Sequence, residues 1–128
     1  MWTLPKGNKV KWYNIINFDE LEKEEIHRFH INDKPYCLIR LVDEILCFMD
    51  MCPHQKAEMS YGKLQSLVTT NGDNELVVSE CKEVITCPWH GWEFKVRTGE
   101  SVFCSKKKYK LIHLPTKVEK NNIFVKAN

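Results

Sequence analysis

The side chains best suited to chemistry in this chain fall in two short stretches. Cys87-Pro88-Trp89-His90-Gly91-Trp92 sets a Cys and a His three residues apart inside a knot of Pro, Trp and Gly, and upstream Cys52-Pro53-His54 sets another Cys and His two apart. Thiolate and imidazole are both good ligands for a borderline or soft metal. A lone Cys or His in a small domain is more often packed or simply solvated, so the reading rests on the repetition. Two pairs, each opening Cys-Pro, supply four donors, which is a complete ligand set. The proline after each cysteine fixes φ and removes a backbone donor, holding the ligand loop in one shape. The candidate ligands are therefore Cys52, His54, Cys87 and His90.

Both pairs follow strand-like runs, Ile45–Met49 before the first and Val84–Thr86 before the second, so both loops are expected to leave the same end of a β framework. Residues 36–42 and 45–49 read as a hairpin around Asp43-Glu44. Residues 67–70 and 75–78 flank Asn71-Gly72-Asp73-Asn74, and Asn-Gly between β-rich runs is a strong hairpin signal. Residues 10–18 (VKWYNIINF), 94–96 before a Thr98-Gly99 turn, and 123–125 complete the set of short strands. Residues 19–28 (DELEKEEIHR) contain helix formers but only Leu21 and Ile26 as apolar positions, which reads as a charged loop or a short turn of helix. Short strands with turn signals between them predict an all-β antiparallel sandwich or barrel. No repeat, low-complexity tract or linker divides residues 1–128, so a single domain is expected.

Composition narrows the class of function. At 43% hydrophobic and 28% charged, the 128 residues can bury a core. Nineteen basic against seventeen acidic residues is too even a balance for a dedicated nucleic-acid binder. Lys106-Lys107-Lys108 with Lys110 reads as a solvated loop. No apolar run approaches the ~20 residues of a membrane span, and the N-terminus lacks the apolar stretch of a signal peptide. A soluble cytoplasmic protein is the expectation, and in a reducing compartment cysteines near histidines point to metal before disulfides. Of the other four cysteines, Cys37 and Cys47 lie in apolar strands and read as small core residues, and Cys81 and Cys104 are not assigned as ligands.

Softness alone leaves the metal open, because two Cys and two His suit zinc as well as one kind of iron–sulfur centre. Structural zinc sites usually pair C-x2-4-C with H-x3-5-H, whereas here each stretch gives one Cys and one His. In a Rieske [2Fe–2S] centre two Cys hold one iron and two His the other, which suits loops that each bring one of both. CPH followed by Ala57, Glu58, Met59 and Gly62, then CPWHGWEF and Thr98-Gly99, resembles the Rieske family, in particular its ferredoxin and oxygenase branch. The flanks WYNIINFDEL, the 36–49 hairpin and VEKNNIFVKAN extend the resemblance over nearly the whole chain.

That resemblance implies a Rieske-like antiparallel β-sandwich or barrel with a small cluster-binding subdomain built from two loops, at about 50–63 and 85–99. It implies a [2Fe–2S] cluster ligated by Cys52, His54, Cys87 and His90, in a one-electron carrier between a reductase and a terminal oxygenase or other redox enzyme. Two other readings stand beside it: the small Rieske subunit of an enzyme such as an assimilatory nitrite reductase, and a structural zinc domain. Thirty-two residues, 55–86, separate His54 from Cys87. This is roughly twice the family's usual interval, and the extra length is read as a hairpin inserted at about 64–83. Gln55-Lys56 replaces the Arg-Gly pair common after the first histidine.

The respiratory branch of the family adds a cysteine to each loop and a serine near the cluster. Here Ala57 or its neighbours and Trp89 stand at the cysteine positions and Trp92 at the serine position. A potential in the lower part of the roughly −150 to +300 mV Rieske range is therefore expected. Trp92 reads as a core aromatic, Gly62 and Gly91 as sites of close approach or tight turning, and His27, His30 and His113 as surface residues. The sequence shows no nucleophile elbow, phosphate-binding glycine loop or two-His-one-carboxylate triad. The chain alone thus reads as a carrier rather than an enzyme.

Overall fold

The computed structural model describes residues 10–42, 44–53, 58–79, 82–88, 91–102 and 110–127. Its frame is a four-stranded antiparallel sheet in the order β10 (His113–Leu114), β4 (Ile45–Met49), β3 (Lys34–Arg40) and β2 (Ile26–Ile31). The expected hairpin is present, with Cys37 opposite Phe48 and Leu38 opposite Cys47. Side chains alternate across a strand, and both faces of this hairpin are buried. Cys37, Ile39 and Phe48 enter one apolar core, and Tyr36, Leu38 and Cys47 enter another. Burial on both faces explains why Tyr36-Cys37-Leu38-Ile39 is a continuous apolar run rather than an alternating one.

The second core is closed by a three-stranded sheet, β1 (Lys11–Asn17), β12 (Asn122–Ala127) and β11 (Thr116–Glu119), which contributes Ile123, Val125 and Ala127. The first core is closed by a smaller sheet of β5 (Lys63–Gln65), β8 (Val84–Thr86) and β9 (Glu93–Lys95), which contributes Ile85 and Phe94. The middle sheet is thus packed between two others, and the described residues contain no α-helix. The remaining strands, β6 (Val68–Thr70) and β7 (Leu76–Val78), pair among the described residues only with each other.

Residues 19–28 differ from the sequence reading. A 3-10 turn occupies Phe18–Glu20, but Ile26 opens β2, paired with β3 from Ile26↔Ile39 to Ile31↔Lys34. The missed signal is the two-residue connection Asn32-Asp33, with φ of 49° and 67°. Two successive left-handed residues make the turn whose twist matches a tight hairpin, and Asn and Asp tolerate that conformation. Lys120-Asn121, with φ of 48° and 65°, joins β11 to β12 in the same way.

Candidate metal centre

The first ligand loop begins where β4 ends. Met49 and Asp50 are still held by the neighbouring chain, their N–H groups donating to Ile112 O at 2.8 Å and Pro35 O at 3.0 Å. Cys52 and Pro53 follow. The returning stem comprises Glu58, a 3-10 turn over Met59–Tyr61, and Gly62. The two stems are clasped by one carboxylate. Asp50, only 2% exposed, accepts from the Ser60 N–H at 2.7 Å and the Ser60 hydroxyl at 2.6 Å. Arg28 of β2 adds an ion pair to Asp50 at 3.3 Å and another to Glu58 at 2.7 Å, and donates to the Tyr61 hydroxyl at 2.6 Å. A buried carboxylate is costly unless it is hydrogen-bonded and charge-paired, and Asp50 is both.

The second loop joins β8 to β9, which are paired in register from Val84↔Lys95 to Thr86↔Glu93. Cys87 N–H donates to Trp92 O at 2.7 Å, closing the loop at its neck. Gly91 turns with φ +70°, a conformation that L side chains disfavour. Beyond β9, Gly99 N–H donates to Lys95 O at 2.7 Å. Gly99 has φ +81°, and a Cβ there would lie 2.9 Å from Leu111 O and 3.0 Å from the His113 ring.

Gly62 brings the loops together. A Cβ at this position would sit 1.8 Å from the carbonyl oxygen of Thr86, the residue before Cys87, so only a glycine lets the first loop's exit lie against the second loop's entry. Cys52 and Cys87 consequently share one core with Phe48, Met59, Ile85, Phe94 and Val96, and are 0% and 1% exposed. Trp92, half-buried as the expected core aromatic, packs on this core and stacks on Phe94 with ring centroids 6.4 Å apart.

His54, His90, Ala57, Trp89, Cys81 and Cys104 lie outside the described residues. The described residues accordingly contain no group of three or more metal-binding side chains. Cys37 and Cys47 are fully buried core residues, as read. Burial first, and the charge of Asp50 next, push the Cys37 thiol up, and it hydrogen-bonds Asp50. It stays protonated beside the ligand loop. Burial likewise pushes Cys47 up to about 12. His113 departs from the surface reading: its Nε2 lies 2.6 Å from Val96 O and its ring packs edge-on against Phe48. His27 is half-buried and His30 exposed. The residues that sequence reasoning missed are Asp50, Ser60 and Arg28. Asp50 closing a β-run two positions before the candidate ligand Cys52 was a legible cue, whereas Arg28 gave none.

The Rieske [2Fe-2S] domain family matches residues 11–111. This chain belongs to the Rieske [2Fe–2S] domain family, whose cofactor is a Rieske-type cluster. It is 27% identical over 92 residues to a cholesterol 7-desaturase of Ciona intestinalis, matching 71% of this chain and 17% of that protein. Among solved structures it resembles the ferredoxin of carbazole 1,9a-dioxygenase from Nocardioides aromaticivorans IC177, with a TM-score of 0.65, 18% identity, and 89% and 95% of the two chains covered. A chain in a complex of reduced oxygenase and oxidized ferredoxin of carbazole 1,9a-dioxygenase gives 0.68 and 23%, over 89% and 91%. A protein named as the small subunit of an NADPH nitrite reductase gives 0.63 and 17%, over 90% and 97%. At these identities the structural likeness speaks for the fold.

The residues present fit the family's cluster. Two buried cysteines from separate loops share one apolar core, and soft sulfur donors in apolar surroundings are the environment in which an iron–sulfur iron is held. No helix among the described residues is long and apolar enough to cross a membrane.

Proposed function

We propose that this chain is a one-electron carrier whose cluster is ligated by Cys52, His54, Cys87 and His90, receiving its electron from a reductase and delivering it to an oxygenase or another redox enzyme. The observation that carries the reading is that Cys52 and Cys87, from two separate loops, are buried in one core of a Rieske-family chain. When bound, the cluster takes up and gives back a single electron. The protein's part is to hold and shield it. Phe48, Met59, Phe94 and Trp92 keep water from the cysteine side, which favours a low-dielectric, little-reorganising environment. Pro53 and Pro88, directly after the cysteines, stiffen the two loops.

The ferredoxin-type neighbours support delivery to an oxygenase, and a cytoplasmic location goes with that reading. A second reading has the chain as one module of a larger redox enzyme. Its support is the desaturase match, in which this chain spans 17% of the relative's length.

Anaerobic purification followed by absorbance, metal analysis and EPR tests the proposal. A coloured protein with two irons per chain and a Rieske-type signal on reduction is expected. Colourless protein holding stoichiometric zinc overturns it, and co-purification with a large redox subunit turns it into the second reading.

A further inference from the structure

We propose that Arg28 is a positioning residue for the redox centre: it staples the two stems of the first ligand loop and offsets the charge of the carboxylates that flank it. This inference rests on the electron-carrier reading above.

Arg28 lies on β2, an edge strand of the middle sheet, twenty-two residues before Asp50 in sequence. Its three guanidinium nitrogens serve three different residues. Nε lies 3.3 Å from Asp50 on the outgoing stem and Nη2 2.7 Å from Glu58 on the returning stem, charge contacts without hydrogen-bond geometry, while Nη1 donates a hydrogen bond to Tyr61 on the returning stem. The guanidinium also lies over the Tyr61 ring, 5.2 Å from its centroid. One planar, permanently charged fork thus spans the base of the loop that carries Cys52 and His54. A lysine, a point charge on a flexible stem, cannot reproduce that geometry.

The charge balance gives the arrangement a redox consequence. Asp50 has a fully buried side chain, and Glu58 is 43% exposed at the side chain. Against these two carboxylates stands one guanidinium. Reduction adds one negative charge to the centre, and a partly desolvated neighbouring charge is weakly screened. Removing Arg28 therefore disfavours reduction, and removing the charge of Glu58 favours it. A purely mechanical loosening of the loop would move both variants in the same direction.

The test is protein-film voltammetry or a dye-equilibrium titration of the purified holoprotein, alongside EPR and the rate of iron release to a chelator. Arg28→Gln is expected to lower the potential and Glu58→Gln to raise it. Arg28→Lys is expected to recover the wild-type potential while releasing iron several-fold faster, because it restores charge but not the fork. Should Arg28→Gln fail to fold, the raised potential of Glu58→Gln together with the wild-type potential and faster iron release of Arg28→Lys still decide, and the absence of either overturns the inference. Unchanged potentials in Arg28→Gln and Glu58→Gln, or shifts of the same sign, overturn the inference. A wild-type protein without a Rieske signal overturns the carrier reading and this inference together, whereas a normal wild type with unresponsive variants overturns this inference alone.

Discussion

The second cluster loop and the β6–β7 hairpin leave the small β5–β8–β9 sheet, and the first cluster loop runs into it from β4, yet loops and hairpin are held in opposite ways. Cys52 and Cys87 are essentially without solvent exposure, and their loops are closed by a buried carboxylate, a guanidinium and a backbone approach that only glycine allows. In the hairpin every strand residue is exposed. Val68, Leu76 and Val78 are 54%, 73% and 59% accessible, and among the described residues the strands pair only with each other. An isolated two-stranded hairpin is marginal in water. The contrast separates two kinds of specification. A cofactor loop is fixed by contacts made across the fold, and the hairpin by its own turn, in which Asn71 Oδ1 accepts from the N–H groups of Asp73 at 2.9 Å and Glu75 at 3.1 Å.

Removing a proposed ligand should have the largest effect. Cys87→Ser or His90→Ser is expected to abolish the Rieske EPR signal or convert it to that of another cluster, because a hydroxyl or a vacant position cannot replace either donor on iron. Cys81→Ser, in the segment between the hairpin and β8, is expected to leave the signal intact. Loss of the signal in Cys81→Ser would overturn the ligand assignment.

A matched pair of glycine substitutions sharpens the contrast at the level of stability. Gly62→Ala drives a methyl group into the Thr86 carbonyl, which is backbone and cannot swing aside. The two loops must separate, and overpacking of this kind costs about 1–3 kcal/mol. A Cβ at Gly72, in the hairpin turn, meets nothing within 4 Å, so Gly72→Ala should stay within about 0.5 kcal/mol. Denaturant midpoints of the two variants measure the difference, and equal midpoints would show that the contact at Gly62 does not hold the loops.

How much of this was legible in the sequence follows the same division. The β2–β3–β4 frame was readable only in part: residues 36–49 declared themselves by apolar runs around a turn, but Ile26–Ile31 was hidden because His27, Arg28 and His30 dilute the alternation of an edge strand. Its turn, Asn32-Asp33, was the better signal. The β6–β7 hairpin was anticipated from Asn71-Gly72, although the left-handed residue in its turn is Asn74, with φ +61°, and not Gly72. Cys52 and Cys87 stood out through their repeated Cys-Pro setting, and the fold buries both in one core; their role as ligands belongs to the proposal. Arg28 and His113 were not, because their roles arise from contacts between elements distant in sequence, which no local pattern records.

The smallest effect on stability is expected at the hairpin's apolar residues, and it bears most directly on what that region is for. Val68 and Val78 are cross-strand partners, and Leu76 lies two positions along on the same face. Between residues 66 and 79 there is no basic residue, while Asp73 and Glu75 are acidic. Replacing Val68, Leu76 and Val78 by Thr keeps the β preference of each position and removes apolar surface that the fold leaves uncovered. Each change should alter the unfolding free energy by no more than about 0.5 kcal/mol, with the EPR signal and potential unchanged. If the hairpin contacts a redox partner, the triple variant should exchange electrons with that partner more slowly while remaining as readily reduced by a small dye. Equal rates with the partner would detach the hairpin from recognition and leave electron exchange to the cluster loops alone.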